Sequence, residues 1–276
     1  MKSSGPRRSL VTRAGAIVAI VAVTGVVPLA SPAGASTSTY SGIGYDASYP
    51  QGLSTPPLNM NFAIIGVTHG RPFTTNQYAS KQWNAAPTGS RSLYFNTGYA
   101  LAYAKSDTTT CKDLAPAQFQ SSSATGHALS ALEAAWAIGC SEAAWAIKIA
   151  PGSAAMWWAD VETGNSWSTN VALNQAAISG MAYEIGANGA SFGIYSSPSM
   201  WASITGAGFT VSGVAGDWQA GVTTSTCPST GFTLNGNGLY APVLVAQTGT
   251  LTGGGGTTYD EDMGCQWRLI HRVDQP

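Results

Sequence analysis

The chain has 276 residues, enough for one substantial core but not for several large domains. Charged residues make up only 9%, far below the roughly 25% of an average soluble domain, so Ser, Thr, Asn, Gly and aromatic side chains must cover much of the surface. A formal net charge of -1 excludes a nucleic-acid binder, because no basic excess exists to neutralise phosphates.

Lys2, Arg7, Arg8 and Arg13 precede an uncharged apolar run from Ala14 to Ala30, and Ala33-Gly34-Ala35 follows as an A-x-A cleavage site. Basic, apolar and small segments in that order predict a secretory signal peptide over residues 1–35 and a single secreted domain over 36–276. The apolar run holds 17 residues, including Gly25 and Pro28, short of the ~20 needed to span a bilayer, so no membrane contact is expected after cleavage. Loss of the four cations and no acids takes the formal charge from -1 to -5. Cys111, Cys140, Cys227 and Cys265 form an even set in an exported chain, for which disulfides are the default. Sequence order suggests Cys111–Cys140 and Cys227–Cys265, although four cysteines allow three connectivities. Their wide spacing contains no close pair of the kind that binds zinc, and neither a metal nor a cofactor is expected.

Ile43–Asp46 reads as a short strand, followed by a turn over Tyr49–Gly52. Phe62–Val67 is almost continuously apolar, the pattern of a strand buried on both faces of a helix-covered parallel sheet. Ser92–Asn96 is a third strand. Ala124–Ala150 is Ala-rich and predicts a helix interrupted at Gly139. Met156–Glu162 is a fourth strand. Leu173, Ala177, Met181 and Ile185 repeat at i+4 and predict a helix over 171–185, ended by Gly186 or Gly189. Ser191–Tyr195, Gly213–Gln219, Phe232–Leu234 and Val243–Gln247 complete the strands, and Gly253–Gly256 reads as a flexible loop. Strands alternating with helices over this length predict an α/β fold, an irregular TIM-like (β/α) barrel in a single domain, because the last third is poor in helix.

The acids are few enough to inspect individually. Glu133, Glu142 and Glu184 lie on predicted helices, and Asp107, Asp113 and Asp274 in polar or terminal segments; all six read as solvated surface charge. Asp46, Asp160, Glu162, Asp217 and the group Asp260-Glu261-Asp262 accompany apolar strands instead. Residues two apart on a strand point the same way, so Trp158, Asp160 and Glu162 share one face. Two carboxylates on one face repel where solvent is excluded, which raises one pKa and leaves a neutral acid beside an anion. Glycosidic cleavage needs that division of labour.

Other catalytic patterns are missing. His69, His127 and His271 show no metal-ligand spacing, and no G-x-S-x-G elbow or phosphate-binding loop occurs. His69 reads first as a hydrogen-bonded structural residue. Most aromatic residues belong to the core, with Tyr49, Tyr94, Tyr195 and Trp218 the candidates for stacking on sugar rings.

Asp46-Ala-Ser-Tyr-Pro-Gln-Gly52 resembles the first-strand motif, roughly D-V-S-x-x-Q-G, of family 25 glycoside hydrolases, the secreted Chalaropsis-type lysozymes. Phe62–Gly70 is similar to their second strand, Asp160-Val-Glu162 to their D-x-E, Gly193–Tyr195 and Asp217–Gln219 to later strand ends, and Tyr259–Asp262 to the closing D-x-N/D. Two strand ends depart from the family: His69 stands in place of a Glu, and Tyr94-Phe-Asn96 lacks the histidine of the family's Y-H-F. The resemblance implies an irregular α/β barrel that cuts β-1,4 bonds of peptidoglycan as a monomer without cofactor. Glu162 would be the general acid and Asp160 the neighbouring carboxylate, with Asp46 and Asp260 completing the acidic cluster and Asp262 a further occupant of it. The alternative is a non-catalytic carbohydrate-binding protein on the same barrel.

Overall fold

The computed structural model describes residues 40–115 and 130–265. The predicted signal peptide, His127, His271, Asp274 and the first residues of the predicted Ala124–Ala150 helix lie outside them.

Eight strands close into a barrel. In chain order the strands are β1 (Gly42–Ala47), β2 (Phe62–Gly66), β3 (Arg91–Asn96), β4 (Met156–Asp160), β5 (Ser191–Ser196), β6 (Thr210–Val211), β7 (Val214–Gln219), β8 (Leu234–Asn235), β9 (Val243–Thr252) and β10 (Thr258–Gly264). The barrel order is β1-β10-β9-β7-β5-β4-β3-β2, and β6 pairs with β8 in a separate small sheet. Helices α1 (Ala79–Ala85), α2 (Thr109–Asp113), α3 (Ala131–Lys148), α4 (Val171–Ala187) and α5 (Pro198–Thr205) fill the crossovers from β2 to β7. No helix joins β1 to β2, where only a 3-10 turn at Tyr49–Gln51 intervenes, or β7 to β9.

The irregularity is concentrated at the closure. Strand β10 runs antiparallel to both β9 and β1, whereas every other barrel pair is parallel. The link from β9 to β10 is a tight glycine turn with Gly255 and Gly256 at positive φ, too short for the dozen or so residues of a parallel crossover. Gly253–Gly256 is thus the turn of a hairpin, and Tyr259–Asp262 lies within a strand.

Alternation on the strands builds two cores. Phe62, Ile64, Met156, Trp158, Trp218, Leu244 and Val245 fill the barrel, and a larger cluster lies between the strands and the helices. Gly193 makes room for Trp158, since a Cβ there would lie 2.4 Å from the indole ring.

Several expectations are corrected. Gly139 does not interrupt α3: it is the point where α3 meets α4, with its missing Cβ position 1.9 Å from the Ala177 carbonyl oxygen. The Phe232–Leu234 strand shrinks to Leu234–Asn235, because the Asp217 carboxylate takes the Phe232 and Thr233 N–H groups (2.7 and 3.0 Å). Strand β4 ends at Asp160, whose carbonyl accepts from Thr97 Oγ1 and Asn165 Nδ2, so Glu162 lies just beyond it. Glu133 and Glu142 are buried, not solvated. Glu133 closes a capping box with Ser130 at the start of α3, and Glu142 accepts from the Gly98 N–H. The disulfides are Cys111–Cys140 and Cys227–Cys265, with Cα separations of 5.8 and 5.6 Å.

Candidate active site

Parallel strands present their C-terminal ends at one mouth of a barrel. Asp46 lies near the end of β1 and Asp160 at the end of β4, while Glu162 follows two residues later. The antiparallel β10 brings Asp260 directly opposite Asp46. Asp46 and Asp160 are only 7% and 5% exposed, whereas Glu162 and Asp260 are half-buried and open toward the mouth.

Burial raises all four carboxyl pKa values, and repulsion from neighbouring acids adds to the rise at Asp46, Asp160 and Glu162. Burial first, then the Asp260 charge, lifts Asp46 well above the usual carboxylate range. Asp160 is pushed up to about 8 by burial and by Glu162. Glu162 is raised by burial and pulled back by hydrogen bonds with Tyr195 and Asp160. Burial thus favours the neutral form of Asp160, which lies in hydrogen-bonding contact with Glu162.

The partners that stabilise these carboxylates are neutral. Asn96 Nδ2 donates to Asp160 Oδ2, and Asn165 Nδ2 to Asp160 Oδ1 at 3.3 Å. Thr68 Oγ1 donates to Asn96 Oδ1 (2.8 Å), which fixes the Asn96 amide with its NH₂ toward Asp160. Gln247 Nε2 faces Asp46 Oδ2 at 3.4 Å, and its Oε1 accepts from the Tyr195 hydroxyl at 3.0 Å. Sequence reasoning missed Asn96, Asn165 and Gln247 as site residues; their one signal is an amide at or just beyond the end of an apolar run.

The proposed sugar contacts divide. Tyr94 and Tyr195 are half-buried at the mouth. Trp218 is 2% exposed and hemmed in by Tyr94, Trp158 and Tyr195, so it supports the Tyr195 ring (centroids 4.4 Å apart) and offers no face to a ligand. Asp262 is fully buried below the mouth, where Oδ1 accepts from Trp218 Nε1 at 2.8 Å, so it too is removed from substrate contact. The half-buried Tyr49 ring packs on His69 (centroids 3.3 Å apart) and near Tyr78 (5.7 Å). His69 is exposed and stacked, not a buried structural histidine. Asp217, within β7, is fully buried and holds the N–H groups of Phe232 and Thr233 in the β7–β8 connection.

The fold and site define an α/β barrel with a carboxylate-lined mouth. Residues 134–226, a span that includes Asp160, Glu162, Tyr195 and Trp218, match the family model described as Lysozyme-like protein 1. No curated protein matches the chain in sequence. Among solved structures, the chain is similar to a bacterial lysozyme from Streptomyces coelicolor (17% identity, 81% of this chain and 92% of that chain, TM-score 0.49). It is also similar to the modular Cpl-1 endolysin, solved in complex with a peptidoglycan analogue (13% identity, 86% and 57%, TM-score 0.45). A third is an uncharacterized B. stearothermophilus protein (11% identity, 80% and 95%, TM-score 0.39).

Proposed function

We propose that the protein is a secreted glycoside hydrolase that cleaves β-1,4 bonds in the glycan strands of peptidoglycan. The observation that carries this reading is the Asp160–Glu162 pair, which shares a proton at a barrel mouth where Asp46 and Asp260 are also raised above the usual carboxylate range. Glu162, the more exposed of the two, protonates the leaving glycosidic oxygen. Asp160, buried behind it, replenishes that proton along their hydrogen bond. The carboxylate left on the pair once its proton has passed to the leaving oxygen stabilises the oxocarbenium charge that develops as the bond breaks. Tyr94 and Tyr195 provide aromatic edges for sugar rings. The lysozyme-like match over residues 134–226 supports this reading, and the two disulfides support export.

The test is release of reducing ends from purified peptidoglycan. Glu162→Gln removes the acid at nearly constant shape and is expected to lower turnover by roughly 10²-fold or more, with folding intact. Turnover at the wild-type rate by this variant would overturn the assignment. Glycan binding without hydrolysis, unaffected by the substitution, would establish the non-catalytic alternative.

A further inference from the structure

Beyond the Tyr49–Gln51 turn the chain passes back along the outside of the barrel as an irregular strap, Gly52–Asn61, in place of the helix that a βα repeat would supply. Between this strap and α1 lies a cavity of about 310 Å³. The Tyr45 and Tyr259 rings, in edge contact at 5.5 Å, line it together with Leu53, Pro56 and Ala85. The polar groups around it are largely committed. Gln82 Nε2 donates to the Ser48 and Gly52 carbonyls, and the Tyr259 hydroxyl to the Ser54 carbonyl. Lys81 is the one charged side chain among the described residues that line it, and it is exposed. A second cavity of about 440 Å³ continues the groove past Pro57 and Leu58.

The cavity lies one strand's thickness from the acids. Tyr45 and Ala47 flank Asp46 on β1 and project from the opposite face of the barrel wall. Gly52, on the cavity's border, directly follows the turn at the mouth. A polymer lying across the mouth can therefore send a branch over this turn. We propose that the cavity binds the peptide branch of the glycan, an inference that rests on the function proposed above. Small apolar residues of the branch pack against Leu53, Pro56 and Ala85, and its free terminal carboxylate pairs with Lys81. The charge is complementary: among the described lining residues the groove offers this carboxylate a single cation, Lys81.

The test compares reducing-end release from peptidoglycan that carries its peptides with release from the same strands stripped of peptide by an amidase. The wild type is expected to prefer the peptide-bearing polymer in kcat/KM, and Lys81→Met to reduce that preference about threefold, the effect of losing one exposed charge contact. No preference in the wild type, or a preference unchanged in Lys81→Met, would overturn the proposal. If the wild type cleaves neither polymer, the hydrolase reading fails, and the cavity is then decided by NMR titration of the Glu162→Gln protein with the free pentapeptide L-Ala-D-Glu-L-Lys-D-Ala-D-Ala. Shifts at Tyr45, Leu53 and Lys81 that weaken when the peptide's C-terminus is amidated support the site; their absence refutes it.

Discussion

The Asn96 amide controls how tightly Asp160 holds its proton. Its NH₂ donates to the carboxylate and so favours the ionised form, partly offsetting the burial that pushes Asp160 up to about 8. Asn96→Ala removes that donor, and the Asp160 pKa must rise further. The alkaline limb of kcat/KM, where the pair loses its shared proton, is expected to move upward by about one pH unit, since one unit corresponds to about 1.4 kcal/mol and a charge-assisted bond is worth that order. A limb that moved downward would show that Asn96 does not act on the ionised form. The two-residue spacing drew attention to Asp160 and Glu162, but β4 ends at Asp160, so it is the chain just beyond the strand, not strand alternation, that brings Glu162 against Asp160. The amides that tune them were not legible. An Asn or Gln at a strand end looks the same whether it faces solvent or a carboxylate, and only the register of Asn96 opposite Asp160 settles which. Trp218 failed differently: its type suggested a sugar platform, but Tyr94, Trp158 and Tyr195 pack around it and leave it buried.

Helices α3 and α4 cross where each carries a glycine. A Cβ on Gly139 would lie 1.9 Å from the Ala177 oxygen, and one on Gly180 would lie 2.1 Å from the Trp136 oxygen, so the two backbones touch with no side chain between them. Intrinsic propensity counts each glycine against its helix by about 1 kcal/mol, which is why Gly139 read as a break. The close approach outweighs that cost by letting Ile138, Ala143, Ile178 and Met181 be fully buried. Gly139→Ala should therefore destabilise the fold, by about 3 kcal/mol, because two rigid backbones must separate. Gly186→Ala, in α4 with open space around the glycine, should instead stabilise it by about 0.5–1 kcal/mol. Urea denaturation of the two variants measures the contrast, and equal effects would refute this account of the contact. The same reasoning shows which elements could be read in advance. Long apolar runs gave strands β2, β4 and β9 their positions, whereas α1 and α5, of 7 and 8 residues, are too short for a periodic pattern to emerge.

At the scale of the whole molecule, alternation of strand and helix conveyed a barrel, and the shortage of helix near the end conveyed its irregularity. The reversal of β10 went unread because Tyr259–Asp262 is acidic and lacks the apolar signature of an interior strand. That reversal places Asp260 and Asp262 against Asp46, and it contributes to a molecule-wide imbalance in titration. Asp46, Asp160, Glu162, Asp260 and Asp262 at and below the mouth are all raised, chiefly by burial. Away from it, burial raises Glu142 strongly, Asp217 to about 7 and Asp107 to about 6. Each of these groups binds its proton more tightly in the folded chain than in the unfolded one, where carboxyls titrate near 4. Folding therefore takes up protons, and the unfolded state gains relative stability as pH rises from about 4 through 8, the window between the unfolded and the raised folded values. Stability should be greatest in mild acid, with Tm at pH 8 about 5 °C or more below that at pH 5, given the few degrees per kcal/mol typical of a domain this size. Scanning calorimetry across pH 5–8 reads this directly. A Tm that climbed with pH would mean the cluster is ionised and compensated in the folded chain, and would remove the shared proton on which the proposed chemistry depends.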